Sequence, residues 1–340
     1  MTKKLQGIPI RTVLLICILM FVIGFFSYKY IYYFVHNTGQ TSTFSFTNPA
    51  LNYDNLRDSI MNTKSLHLSG QITTYMNQKE SWWDITHLSV YFRDLNNWGW
   101  FGINEKEEFS PASLMKLPIL LAYMKKSESI SWFLDERLIY KTTSTAQSYT
   151  QNVVPEHQLV DGQSYSLREI LEDLITYSDN NASALLESHL PMAELQKTFT
   201  DIWLTFPAIT GWSFDNNLRV IDYASFFRVL FNASYLNRVD SEKALNLLTK
   251  VEFKKWLVAW VPSSIQISHK FGERWIISEN WREQKQLHDC GIVYYPDHPY
   301  ILCIMTRWYD WNTLSSTLAD VSKIVYNRVE DQYHESMESR

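Results

Sequence analysis

Three short polar signatures, in a fixed order and each set in a different hydrophobic pattern, constrain this chain more than any other feature. They are Ser113-Leu114-Met115-Lys116, Ser178-Asp179-Asn180 and Lys270-Phe271-Gly272. Singly they are weak. S-x-x-K arises about once by chance in a chain of this length, and S-D-N fits many helix caps and turns. Their surroundings sharpen them. Ser113 opens an apolar run at helical spacing (Leu114, Leu117, Leu120, Leu121, Met124), which predicts the first turn of a buried helix. The S-D-N triplet falls between two helical patterns, Leu167 to Tyr177 and Ala182 to Leu190. Lys270 closes the alternation Ile265, Ile267, His269, which predicts a strand.

Strand patterns cluster toward the two ends of the larger part of the chain. Leu88 to Arg93 and Asn97 to Ile103 come early; Ile265 to Ile277, Gln286 to Tyr295 and Tyr300 to Arg307 come late. Ala50 to Met61 and Leu314 to Tyr326 read as amphipathic helices, and helical patterns fill Ser113 to Leu248. The expected fold is α+β, an antiparallel sheet flanked by N- and C-terminal helices, with the middle of the chain as a helical subdomain. A crevice between the two lobes would draw residues from all three signatures, and such crevices favour ligand sites.

Residues 1–35 are expected to stand outside this fold. No charge lies between Arg11 and Lys29, and Val13 to Phe26 is apolar apart from Gly24. A spanning helix needs about 20 mostly apolar residues, so Tyr28 to Val35 would form its interfacial end, with Lys29 snorkelling. Lys3, Lys4 and Arg11 predict a cytoplasmic N-terminus and an outward-facing remainder. No small-x-small cleavage site follows the apolar run, which favours an uncleaved anchor over a signal peptide. Residues 36–49 read as a Ser/Thr/Asn-rich tether, 50–330 as one large folded domain, and 331–340 as a polar tail.

Thirteen Trp and 15% aromatic residues argue for a substantial core, and a net charge of −5 gives no sign of nucleic-acid binding. Cys290 and Cys303 flank the turn Tyr295-Pro296-Asp297-His298-Pro299, so they either face each other across a hairpin or remain two buried thiols. His157, His189, His269, His288 and His298 are scattered without an H-x-H or H-E-x-x-H pattern, so neither a metal nor another cofactor is expected. His269 adjoins Lys270 and reads as a structural strand histidine.

Taken together, the signatures resemble the S-x-x-K, S-D-N and K-T-G set of class A β-lactamases and penicillin-binding proteins. The resemblance covers approximately Leu66 to Val329, including Pro111-Ala112-Ser113 and Cys290-Gly291-Ile292-Val293-Tyr294. It implies a serine nucleophile, Ser113, activated by Lys116, with Ser178 relaying the proton to the leaving nitrogen. Asn180 would hold Lys116 and the substrate amide, and Lys270 would attract a substrate carboxylate. The strand edge at Gly272 and Glu273 would help form the oxyanion hole, from the backbone N–H groups of Ser113 and Glu273. The implied substrates are small-molecule β-lactams or acyl-D-amino acid peptides, met by a membrane-anchored monomer.

Three departures bear on the chemistry. Phe271 stands where K-T-G has threonine, and Cys290 where class A enzymes commonly carry a carboxylate-binding arginine. No E-x-x-L-N glutamate follows S-D-N to activate the deacylating water. Glu187 and Glu194 come too early, which leaves Asp215, itself a natural turn residue, as the nearest substitute. Efficient β-lactam hydrolysis therefore competes with two other readings: a D,D-carboxypeptidase or transpeptidase acting on cell-wall peptides, and a degenerate binding module.

Overall fold

The computed structural model describes residues 20, 45–48, 63–81, 85, 87–96, 99–142, 153–207, 209–210, 213–214, 218–277 and 283–338. The chain divides into two units, Met1–Ser45 and Phe46–Arg340, and the second carries all three signatures. Apart from Met20, the expected anchor lies outside the described residues, as does the Ala50 to Met61 helix. Among the described residues no helix is long and apolar enough to cross a membrane.

Five antiparallel strands form the main sheet: β1 (His87–Asp94), β2 (Trp100–Ile103), β3 (Ile267–Ile277), β4 (Glu283–Val293) and β5 (Tyr300–Trp308). Their order is β2-β1-β5-β4-β3, so the early and late strands meet at the β1–β5 pairing and β3 is left on an edge. Tyr300 to Thr306 is buried without alternation, the signature of a strand covered on both faces. One cover is the C-terminal helix packed with helix α1 (Thr63–Ser81); the other comes from the helical middle.

That middle supplies α2 (Lys116–Ser127), α3 (Leu167–Thr176), α4 (Asn180–His189), α5 (Met192–Asp201), α6 (Val220–Phe231) and α7 (Arg238–Thr249). Helix α6 packs on β1, β4 and β5, and α7 on β3. The C-terminal helix, α8 (Trp311–Glu338), continues through the stretch expected to be a polar tail. Tyr333, one heptad beyond Tyr326, explains the extension: both rings pack against Tyr295, at 5.5 and 5.7 Å between centroids.

The end of the expected tether is docked as well. The Phe46 and Thr47 amides donate to the Glu242 carboxylate at 2.9 Å, and the Phe46 ring meets Tyr294 edge-on at 5.2 Å. Helix α1 was not expected. Its apolar stripe of Leu68, Ile72 and Met76 is diluted by Ser, Thr and Gln, so periodicity alone does not reveal it. Cys290 and Cys303 stand directly opposite in the β4–β5 register and are disulfide-bonded in the buried interior, which settles the open question of their pairing.

Candidate active site

Ser113 does not begin an α-helix. It sits in a 3₁₀ turn, Ala112–Met115, and α2 begins at Lys116. Pro118 is the cause. It has no N–H to offer the carbonyl of Leu114 four residues earlier, and the Tyr223 hydroxyl of α6 donates to that oxygen instead, at 3.0 Å. The tighter turn serves the site, because residues i and i+3 eclipse in 3₁₀ geometry and Ser113 and Lys116 therefore align. Ala112, the residue before the serine, is held at φ 48°, a costly conformation of the kind found at functional sites.

The turn is pinned from behind by the sheet. Ser110 N donates to Gln286 Oε1 at 3.0 Å, and Arg274 Nη1 donates to Ser110 Oγ at 2.7 Å. His288 Nε2 lies 3.0 Å from the Ser110 carbonyl oxygen. Burial depresses the His288 pKa to about 3, so the ring is neutral and Nε2 carries the donated proton. None of these three supports carries a recognisable sequence signal; only the register that aligns β3 and β4 reveals them.

Helix α3 delivers the second signature. Its N-terminus is a capping box, with Ser166 and Glu169 bonded reciprocally. At its far end Ser178 takes a left-handed φ of 56°, and buried Asp179 caps α4 by accepting from Asn181 N at 2.8 Å. The other Asp179 oxygen accepts from Leu159 N at 2.9 Å. The aspartate is thus an architectural residue that turns Ser178 and Asn180 toward α2.

The polar side chains then converge. Lys116 Nζ donates to Asn180 Oδ1 at 2.8 Å and to the Ser178 carbonyl oxygen, and lies 3.1 Å from Ser178 Oγ. Lys270 Nζ lies 2.9 Å from the same hydroxyl oxygen and 2.9 Å from the Phe271 carbonyl. One serine hydroxyl therefore bridges two lysines that are 3% and 0% exposed. Burial drives the Lys116 pKa down to about 7, against the pull of Asp179, Glu187 and Glu273. Lys270 is also lowered well below its ordinary value, first by burial and then by the neighbouring Lys116. Such a pair cannot hold two full charges near neutral pH, and the neutral amine is a proton acceptor.

Gly272 brings the edge strand against the serine turn. A Cβ there would lie 3.1 Å from Leu114 Cγ and 3.3 Å from both Leu114 N and the Pro111 carbonyl oxygen. Edge position leaves backbone N–H groups of β3 available to a ligand. The Glu273 side chain is engaged elsewhere, its Oε1 accepting from Val153 N at 2.8 Å. His269 is bonded to Asp289 at 2.9 Å, both fully buried, which agrees with its structural reading. Asp215 lies outside the described residues. Among the described residues no cluster of three or more His, Cys, Asp or Glu could hold a metal ion.

The expected site residues fall into two sets. Lys116, Ser178, Asn180 and Lys270 form one hydrogen-bonded group, while Ser113 lies on the turn that Gly272 abuts. Glu273 follows Gly272 on the same strand. Lys270 is not an exposed strand lysine.

A family model described as the beta-lactamase enzyme family matches residues 68–329. Among solved structures, an acyl-enzyme complex of a PBP-A mutant with penicillin G is similar, at 23% identity and TM-score 0.67, over 81% of this chain and 100% of that one. The extended-spectrum β-lactamase TLA-1 aligns at 16% identity and TM-score 0.65, over 78% of this chain and 99% of its own. A β-lactamase from Chitinophaga pinensis aligns at 15% identity and TM-score 0.63, over 76% and 99%. At these identities the likeness is one of fold. No curated protein sequence matches the chain.

Proposed function

Since the chain belongs to the beta-lactamase enzyme family and is a serine β-lactamase-like hydrolase, we propose that it forms an acyl-enzyme on Ser113 with β-lactams and discharges it slowly. The observation that carries this reading is the bridge from Lys116 through Ser178 Oγ to Lys270. Serine needs an adjacent base, and a lysine held near neutrality beside the nucleophile's turn supplies one. Lys116 takes the Ser113 proton as Oγ attacks the carbonyl carbon. Backbone N–H groups of Ser113 and Glu273 face the developing oxyanion, each such donor being worth about 2.7–4 kcal/mol. The C–N bond breaks, and Ser178 passes a proton to the leaving nitrogen. Lys116 returns the proton it took from Ser113 to Ser178 Oγ, 3.1 Å away, while Lys270 steadies that hydroxyl.

Deacylation is the weak step, because no E-x-x-L-N glutamate follows S-D-N to activate water. Time-resolved intact mass after adding benzylpenicillin is expected to show a long-lived adduct in the parent protein and none in Ser113→Ala. An adduct that survives the substitution would remove Ser113 from the role. Prompt release of penicilloate would instead require a water-activating base.

We place the catalytic unit outside the cytoplasmic membrane on an uncleaved anchor, on the strength of the Val13 to Phe26 apolar run and the basic residues before it. Protease added to intact spheroplasts should then digest the unit. Full protection would reverse the orientation.

A further inference from the structure

Next to the Ser178–Lys270 pair lies a cavity of about 140 Å³ walled by Val153, Val154, Pro155, Phe253 and Phe271. Tyr177 and Phe271, which line it, are the chain neighbours of Ser178 and Lys270. The Phe271 ring that walls the cavity also lies 4.1 Å from the Lys270 amine, which is bonded to Ser178 Oγ. The walls are tied in place: Glu252 N donates to the Thr176 carbonyl at 3.2 Å, and Val153 N to Glu273 Oε1 at 2.8 Å.

The polar atoms facing this cavity do not suit a carboxylate. Exposed Glu156 and Glu252 line its mouth, and among the described residues neither is in an ion pair. The acids behind them are already matched, Asp173 with His157 at 3.0 Å and Glu172 with Lys250 at 2.9 Å. Lys254, two residues beyond Glu252, turns its amine to the Val251 carbonyl at 2.7 Å. Lys270 is fully buried, with its amine on Ser178 Oγ, on the Phe271 carbonyl and over the Phe271 ring at 4.1 Å. Phe271 itself packs against Phe253 and Trp256 and brings no hydroxyl.

We propose that this cavity receives the leaving group's substituent and selects an apolar stem ending in a cation over one ending in a carboxylate. The proposal rests on the acyl-enzyme reading above. It also makes β-lactams, whose carboxylate stays on the fragment bearing the leaving nitrogen, slower acylating agents than a matched cationic substrate.

The test compares three thioesters of N-benzoyl-D-alanine, made with thiocholine, with its uncharged isostere 3,3-dimethylbutanethiol and with 3-mercaptopropionate. In each, Ser113 Oγ forms the ester bond, the C–S bond breaks and the thiol leaves with the proton. All three yield the same acyl-enzyme, so only acylation distinguishes them. With the full chain, and with each rate divided by that ester's own hydroxide-catalysed rate to remove differences in thiol leaving ability, the thiocholine ester should acylate about tenfold faster than the neutral one, with the carboxylate ester slowest. The Glu156→Gln/Glu252→Gln variant should draw the three rates together. Equal rates in the parent protein, or the carboxylate ester fastest, would overturn the selectivity alone. No Ser113 adduct from any ester would overturn the acyl-enzyme reading and this proposal with it.

Discussion

Lys116→Ala is expected to slow Ser113 acylation by about 10²–10⁴-fold, the range that general-base catalysis contributes. Lys116→Arg should fare no better, because a guanidinium stays protonated at every working pH. In the parent protein the acylation rate should climb with pH through a limb centred near 7, where buried Lys116 loses its proton. That limb should vanish from the residual rate of Lys116→Ala. A parent-like rate in the variant would remove the lysine from the mechanism.

The same proton leaves a mark on stability. The folded pKa of about 7 lies below the unfolded lysine value of about 10.4, so between these limits the unfolded chain binds more protons. Stability contributed through this group therefore rises with pH across that window and is lowest below it. Lys116→Met also removes the amine that donates to Ser178 O and Asn180 Oδ1, which adds an offset of either sign. The slope is insensitive to that offset. The parent should gain on Lys116→Met steadily from pH 7 toward 10 in denaturant titrations. A residue that only filled space would show no such gain.

Much of this site was legible in the sequence because its parts are local. S-D-N needs only a helix on each side and a cap between them, and both helices carry strong periodicity. Lys270 was readable as a strand residue, although its burial was not, since burial depends on Lys116 and Ser178 from other elements. The 3₁₀ turn at Ser113 was hidden for a comparable reason. Pro118 announces a missing donor, but the Tyr223 hydroxyl that compensates comes from a helix about a hundred residues later. The supports on Ser110 and the Glu273 tie to Val153 are likewise long-range side-chain bonds with no local pattern. Helix α8 overran its predicted end because a single tyrosine, Tyr333, is enough to hold an otherwise polar last stretch. Where the family pattern fails, at Phe271, the structure supplies a positive account: the ring completes an aromatic cluster and carries the Lys270 amine on its face.

Gly291→Ala should be the most damaging single methyl that can be added beside the site. Gly291 faces His269 in the β3–β4 register, and a Cβ there would meet Ser268 O at 2.5 Å, His269 Cβ at 2.6 Å and His269 Cα at 2.9 Å. Those atoms are backbone or its direct attachments, so relief requires pushing β3 away from β4 rather than rotating a side chain. Overpacking of this kind costs about 3 kcal/mol, a large part of the roughly 5–15 kcal/mol that holds a domain together. The displaced segment carries Lys270, so whatever protein folds should also acylate poorly. Gly272→Ala makes the instructive contrast. Its Cβ would press on Leu114 and Pro111 at 3.1 to 3.3 Å, contacts that yield by a few tenths of an ångström. Thermal stability should stay within about 1 kcal/mol of the parent. Acylation should nonetheless fall by about tenfold, because the strand edge and the serine turn would part by a few tenths of an ångström, and a full 1 Å misplacement of reacting groups costs about 10²-fold. Thermal melts and single-turnover acylation on the two variants separate a packing glycine from a positioning one. If Gly291→Ala melted with the parent protein, the β3–β4 register that places Lys270 beside Ser178 would have to be redrawn.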